Sequence, residues 1–188
     1  MADSKLKLSR ITVALHWIVG ITIICMLAVG TYMEENEVYA LYPIHKSVGA
    51  LIFLVILARV VWRISQGWPE PVSTYSKIEQ LLSKAAHYVL LIGSVIIPLS
   101  GLMMSIAGGH GLSIFGLEVV PTNPDPLNPD KTVPLNGSIA KAGHTLHGLV
   151  SNVMIATIVL HIAGALKHHI MDKDGTLKRM LGKSAATE

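Results

Sequence analysis

The apolar residues of this chain are not spaced like those of a half-buried helix or strand. They gather into four long blocks, at residues 11–32, 44–62, 81–107 and 140–166. Each block is close to the ~20 consecutive residues that a helix needs to cross a bilayer. The pattern predicts four transmembrane helices, with Pro98 kinking the third. Polar and turn-forming stretches separate the blocks: "MEENEVYALYP", then "SQGWPEPVSTYSKIEQ", then a long connection from Gly108 to Gly137. That third connection is rich in Pro, Gly and Asn and reads as an irregular extramembrane loop. The first block is not read as a cleaved signal, because its apolar run exceeds the usual ~7–15 residues and it contains His16.

Composition narrows the class. Of the 188 residues 51% are hydrophobic and 14% charged, and the mean hydropathy is +0.53. A soluble domain of this size is nearer ~25% charged. The expectation is an all-α membrane protein, a four-transmembrane-helix bundle forming one domain over residues 1–188, with a tail at 167–188. The single cysteine, Cys25, excludes an internal disulfide, a Cys-based zinc site and the C-x-x-C-H attachment of a c-type haem.

Charge sets the expected orientation. With both termini on one side, that side carries Lys5, Lys7, Arg10, Arg59, Arg63, Lys77, Lys84, Lys167, Lys173, Lys178, Arg179 and Lys183. The other side carries Lys46, Lys131 and Lys141, with Glu34, Glu35 and Glu37 in its first loop. The asymmetry follows the positive-inside rule and predicts cytoplasmic termini.

Histidines then stand out, because an ionisable side chain at membrane depth marks a functional site by default. His168 and His169 follow the last block and His110 lies in the long loop, so these three read as solvated or interfacial. His147 and His161 are fourteen residues apart, nearly four helical turns, and so share one face at levels about 21 Å apart. His16 matches the depth of His161 from the first helix, and His45 matches His147 from the second. Two cross-helix pairs result, His16 with His161 below and His45 with His147 above. Paired neutral imidazoles stacked at two levels are the arrangement that holds two haems. His144 fits the seam less well than His147, and His87 reads as a hydrogen-bonded packing residue off the seam. A zinc site would want tetrahedral clusters with carboxylate or Cys ligands. A proton relay usually includes carboxylates within the membrane. The four blocks contain neither Asp nor Glu. Gly20, Gly30, Gly49, Gly93, Gly101, Gly148 and Gly164 suit either a flat macrocycle or close helix packing. Arg59 and Arg63, one turn apart, are either propionate partners of the lower haem or ordinary positive-inside residues. Lys46, beside His45, is the corresponding candidate above.

"ALHW" (14–17), "IHKSVG" (44–49), "LHGLVSNVMIATIVLH" (146–161) and "ALKHHIMDKDGTLKRMLGK" (165–183) together resemble bacterial cytochrome b561. This four-helix dihaem family also includes the cytochrome b subunits of nickel–iron hydrogenases. The "HH…DxxLxRM" tail points to its short stand-alone members. The resemblance implies a multi-pass b-type cytochrome of the bacterial inner membrane, with two non-covalent haems b on His16, His45, His147 and His161. It also implies electron exchange with quinone, ubiquinone being the expected acceptor. One member type oxidises periplasmic superoxide, which makes superoxide:quinone oxidoreduction the candidate activity. The alternative is a non-enzymatic anchor and electron conduit for a separate periplasmic redox protein. Membrane lipid is an expected partner and nucleic acid is not. The long outer loop departs from the shortest members.

Overall fold

The structure is a computed structural model that describes residues 3–4 and 7–185; Lys5, counted above in the basic side, lies outside the described residues. Four helices are long and apolar enough to cross a membrane: α1 (Arg10–Asn36), α2 (Tyr42–Gln66), α3 (Lys77–Ala107) and α4 (Gly137–Ile170). Each extends beyond its hydrophobic block, because apolarity stops at the first charges while the helix runs on to a cap. Ser9 caps α1 by accepting from the Thr12 amide. Ser76 and Glu79 form a reciprocal capping box on α3, and the Asn136 side chain accepts from the Ile139 amide on α4. These caps satisfy amides that a helix start leaves unpaired.

The helices run up and down. At one end Asp3 pairs with Arg63, Lys167 with Glu79, and Trp68 packs on Tyr88. Both described chain ends lie here, and this end is called the termini end. At the other end Lys46 of α2 reaches Ser105 of α3. Large apolar side chains such as Ile21, Leu54 and Leu160 point outward and stay exposed. Such a surface suits lipid, and inside the bilayer close packing and hydrogen bonds replace the hydrophobic effect as the force between helices. The closest seam is α3 against α4. Gly93 leaves room for the Met154 side chain, and a Cβ on Gly143 would strike the α3 backbone at Ser100 and Met104. Buried Ser94 and Ser100 return their hydroxyls to the carbonyls of Leu91 and Ile97, so no polar group there goes unmet. Val19, Ile23, Ile52, Ile56 and Met154 form an apolar waist at mid-bundle.

The connection after α3 is more ordered than the irregular loop expected. It forms two antiparallel hairpins, β1 (Leu112–Ile114) with β2 (Leu117–Val120), and β3 (Pro124–Asp125) with β4 (Asn128–Thr132). The Pro and Asn content marks the turn of the second hairpin, whereas the first turns through Phe115 and Gly116. Asp125, for example, accepts the Leu127 amide across its turn.

The tail is docked as well. The chain turns back after α4 into α5 (Thr176–Met180). The Trp17 indole donates to the Met180 carbonyl at 2.8 Å, and the largely buried Arg179 donates to the Glu70 carbonyl at 2.9 Å. His168, expected to be solvated or interfacial, is partly exposed and engaged by the tail. Its ring lies 4.6 Å from that of Tyr75, and its Nδ1 is 2.7 Å from Asp172.

Candidate functional site

The histidine seam runs the length of α4. Met154, midway between His147 and His161, is 2% exposed and belongs to the apolar waist. The two histidines therefore sit on either side of a dry layer, one near each end of the bundle.

At the hairpin end, the His45 and His147 rings face each other with centroids 6.4 Å apart and planes 78° apart. His147 is fixed by α3: its Nδ1 lies 2.9 Å from the Ile97 carbonyl and 3.1 Å from the Ser100 hydroxyl. A carbonyl only accepts, so Nδ1 carries the proton and Nε2 keeps its lone pair. Two glycines make room for this pair. A Cβ on Gly30 would lie 3.3 Å from His45 Cε1, and one on Gly101 would lie 3.2 Å from His147 Cε1. His45 Nδ1 is buried without a hydrogen-bond partner among the described residues.

At the termini end, the His16 and His161 rings are 6.2 Å apart. A third ring joins them. His87 lies 5.3 Å from His161 and 6.0 Å from Trp68, with Ser83 Oγ 3.4 Å from its Nδ1. This overturns the reading of His87 as off the seam. The wheel of α3 alone carries no sign of it, since the approach depends on how closely α3 and α4 pack. His144 is exposed and has no ring partner among the described residues.

The cations divide similarly. Arg59 is half-buried, its charge reaches His16, His87 and His161, and no hydrogen bond to it occurs among the described residues. Arg63 is engaged elsewhere, donating to the Gly67 carbonyl at 2.8 Å and pairing with Asp3 at 3.5 Å. Among the described residues Lys46 reaches only neutral oxygens, Ser105 Oγ at 3.3 Å and the His110 carbonyl at 3.4 Å.

The arrangement fits a flat metal macrocycle. Two imidazoles on opposite sides of one metal have centroids roughly 6 Å apart, given metal–nitrogen bonds of about 2 Å. α4 rests on α3 and barely touches the α1–α2 pair, although its histidines meet theirs. Gly20, Gly148 and Gly164 face open space, which accords with room left for something other than helix packing.

Four apolar spans with imidazoles paired at two depths define a multi-pass membrane protein of the electron-transfer class. The chain belongs to the prokaryotic cytochrome b561 family, whose profile matches residues 7–183. It is a membrane electron-transfer protein of a family that binds b-type haem. It is 34% identical over 181 residues to "Cytochrome b561 homolog 2" of Escherichia coli (strain K12), covering 94% of this chain and 92% of that one. It is 25% identical over 180 residues to "Cytochrome b561 homolog 1" of the same organism, covering 93% and 97%. It is 24% identical over 180 residues to the "Probable superoxide oxidase CybB" of Yersinia pestis, covering 94% and 97%.

Proposed function

We propose that this cytochrome carries electrons across the bacterial inner membrane through two non-covalent haems b, between a donor at the hairpin end and the quinone pool. His45 with His147 holds one haem and His16 with His161 the other. The observation that carries this reading is the ring spacing, 6.4 and 6.2 Å at two depths of one bundle. Each haem, when bound between its two histidines, would supply one-electron redox chemistry.

The chain's own residues do the rest. The Ile97 carbonyl keeps the proton of His147 on Nδ1, so that Nε2 is the atom offered to the metal. Arg59, a cation without a counter-charge among the described residues, is placed to take a haem carboxylate at the termini end, whereas Arg63 is already occupied by Asp3 and Gly67. Lys46 has the same role at the hairpin end, or attracts an anionic donor there. Met154 and its apolar neighbours keep water out of the layer between the two pairs. The basic residues at the termini end give cytoplasmic termini by the positive-inside rule.

Superoxide is the donor that the site favours. It is an anion, the hairpin end offers Lys46, Lys131 and Lys141, and a relative of similar length is named a probable superoxide oxidase. Ubiquinone is the corresponding acceptor. Stopped-flow mixing of the purified cytochrome with superoxide, then ubiquinone, tests this. Rapid haem reduction followed by reoxidation is expected, with a first step that slows as salt rises. If Lys46 attracts the donor, Lys46→Glu slows that step further at unchanged haem content; loss of haem in that variant would assign it to a haem carboxylate instead. Inertness to both reagents without an added redox protein would favour the conduit role instead.

A further inference from the structure

The β1–β2 hairpin turns through Phe115 and Gly116, with φ of 47° and 90°. Both central residues of such a two-residue turn need positive φ, which is why Asn and Gly usually fill it. A phenylalanine there is a backbone outlier, and such outliers point to a function that retains them. The ring has no aromatic partner among the described residues and stays open: Phe115 is 65% exposed, and Leu117 near it is 71% exposed.

The height of this tip along the bundle is fixed by hydrogen bonds. The Phe115 amide donates to Ser47 Oγ at 3.0 Å, and Ser47 in turn donates to the Pro43 carbonyl at 2.7 Å. Ser47 lies about 7 Å along the axis from the start of α2. At that start the Tyr39 and Tyr42 rings stack at 5.9 Å, in the position of an aromatic belt at the headgroups. The tip therefore hangs beside α2 on the hydrocarbon side of the belt. There Phe115 shares a cleft of about 110 Å³ with Pro43 and Ile44. Ile44 and Leu51, on one face of α2, are themselves turned outward. The exposed surface of the hairpin thus continues the lipid-facing surface of a membrane span, and Glu118 is its one charge between Leu112 and Val120. The β3–β4 hairpin differs, since its exposed Leu127 stands among Asp125, Asn128 and Asp130.

We propose that the β1–β2 hairpin is a membrane anchor whose tip, Phe115 to Leu117, is immersed in the lipid leaflet at the hairpin end. The anchored segment is rooted where the Gly111 carbonyl accepts from Ser105 and the His110 carbonyl from Lys46. Lipid contact at the tip thereby holds the loop over the His45 end of the bundle.

The test uses the full-length cytochrome, carrying Cys25→Ser and a nitroxide at either Leu117→Cys or Leu127→Cys, in phosphatidylethanolamine–phosphatidylglycerol vesicles. Power-saturation spectroscopy should show the label at 117 relaxed by oxygen and shielded from a water-soluble nickel chelate, with the label at 127 several-fold more open to the chelate. Adding Phe115→Asn, which suits the turn but not lipid, should shift the label at 117 toward the chelate at unchanged haem content. Equal chelate access at 117 and 127 would overturn the proposal. So would a label at 117 shielded from both reagents, which would indicate a protein cover, or one unmoved by Phe115→Asn.

Discussion

At the hairpin end, His147 is held by the Ile97 carbonyl, flanked by two glycines and faced by one other ring. At the termini end, His161 makes no hydrogen bond through its ring among the described residues, and two histidines approach it at 5.3 and 6.2 Å. A half-buried cation stands beside them in Arg59. In the first pair the backbone organises His147, with its tautomer and ring position set in advance, while His45 Nδ1 has no hydrogen-bond partner among the described residues. The second is organised by a crowd of side chains, one of which, His87, is a neighbour that a bound group must share. The contrast teaches that equal ring spacing does not mean equal rigidity. The hairpin-end pair should tolerate the least change around it, and the termini-end pair should be the more tunable.

The sharpest way to break this comparison is to crowd the rigid pair. Gly101→Val places methyl groups where a Cβ is already 3.2 Å from the His147 ring. Forcing extra carbons into such a contact costs about 1–3 kcal/mol, so this variant should lose most of the hairpin-end haem in a pyridine haemochrome assay. Gly137→Val, at the exposed start of α4 where nothing lies within 4 Å of a new Cβ, should keep both haems. A smaller effect is expected from His87→Ala. Both haems should remain, because His16 still faces His161, but the midpoint potential of the termini-end haem alone should shift in a redox titration.

The smallest effect concerns the tail beneath the termini end. Burial works to raise the Asp174 carboxyl, but hydrogen bonds donated by the Tyr75 hydroxyl and the Thr176 amide outweigh it and hold it below the ordinary 3.8. The Lys167 ammonium holds exposed Asp172 below 3.8 as well. A carboxyl whose pKa falls on folding adds stability that is full above its unfolded value and is lost as pH drops through its folded one. The docked tail should therefore become protease-sensitive only in acid, below the usual carboxylate range. Asp174→Asn should bring part of that sensitivity to neutral pH.

Much of this was legible in the sequence. The four spans followed from blocks of apolar residues, and the pairing of His16 with His161 and His45 with His147 followed from helical period and depth alone. What escaped depends on packing between elements. The approach of His87 to His161 needs the close α3–α4 seam, which Gly93 and Gly143 permit but do not announce. The second hairpin was hidden because Pro and Asn mark turns whether or not strands flank them, and the first because its turn carries Phe115 where Asn or Gly is usual. The docking of the tail rests on single hydrogen bonds, such as Trp17 to Met180, between residues far apart in the chain. No periodicity records such a contact.

The most direct test of the central claim is haem content, by pyridine haemochrome, of four variants: His16→Ala, His45→Ala, His147→Ala and His161→Ala. Two haems per wild-type chain and one per variant are expected. His45→Ala and His147→Ala should leave one spectrum, and His16→Ala and His161→Ala the other. A wild-type chain with a single haem, or variants that fall into different pairs, would contradict the account.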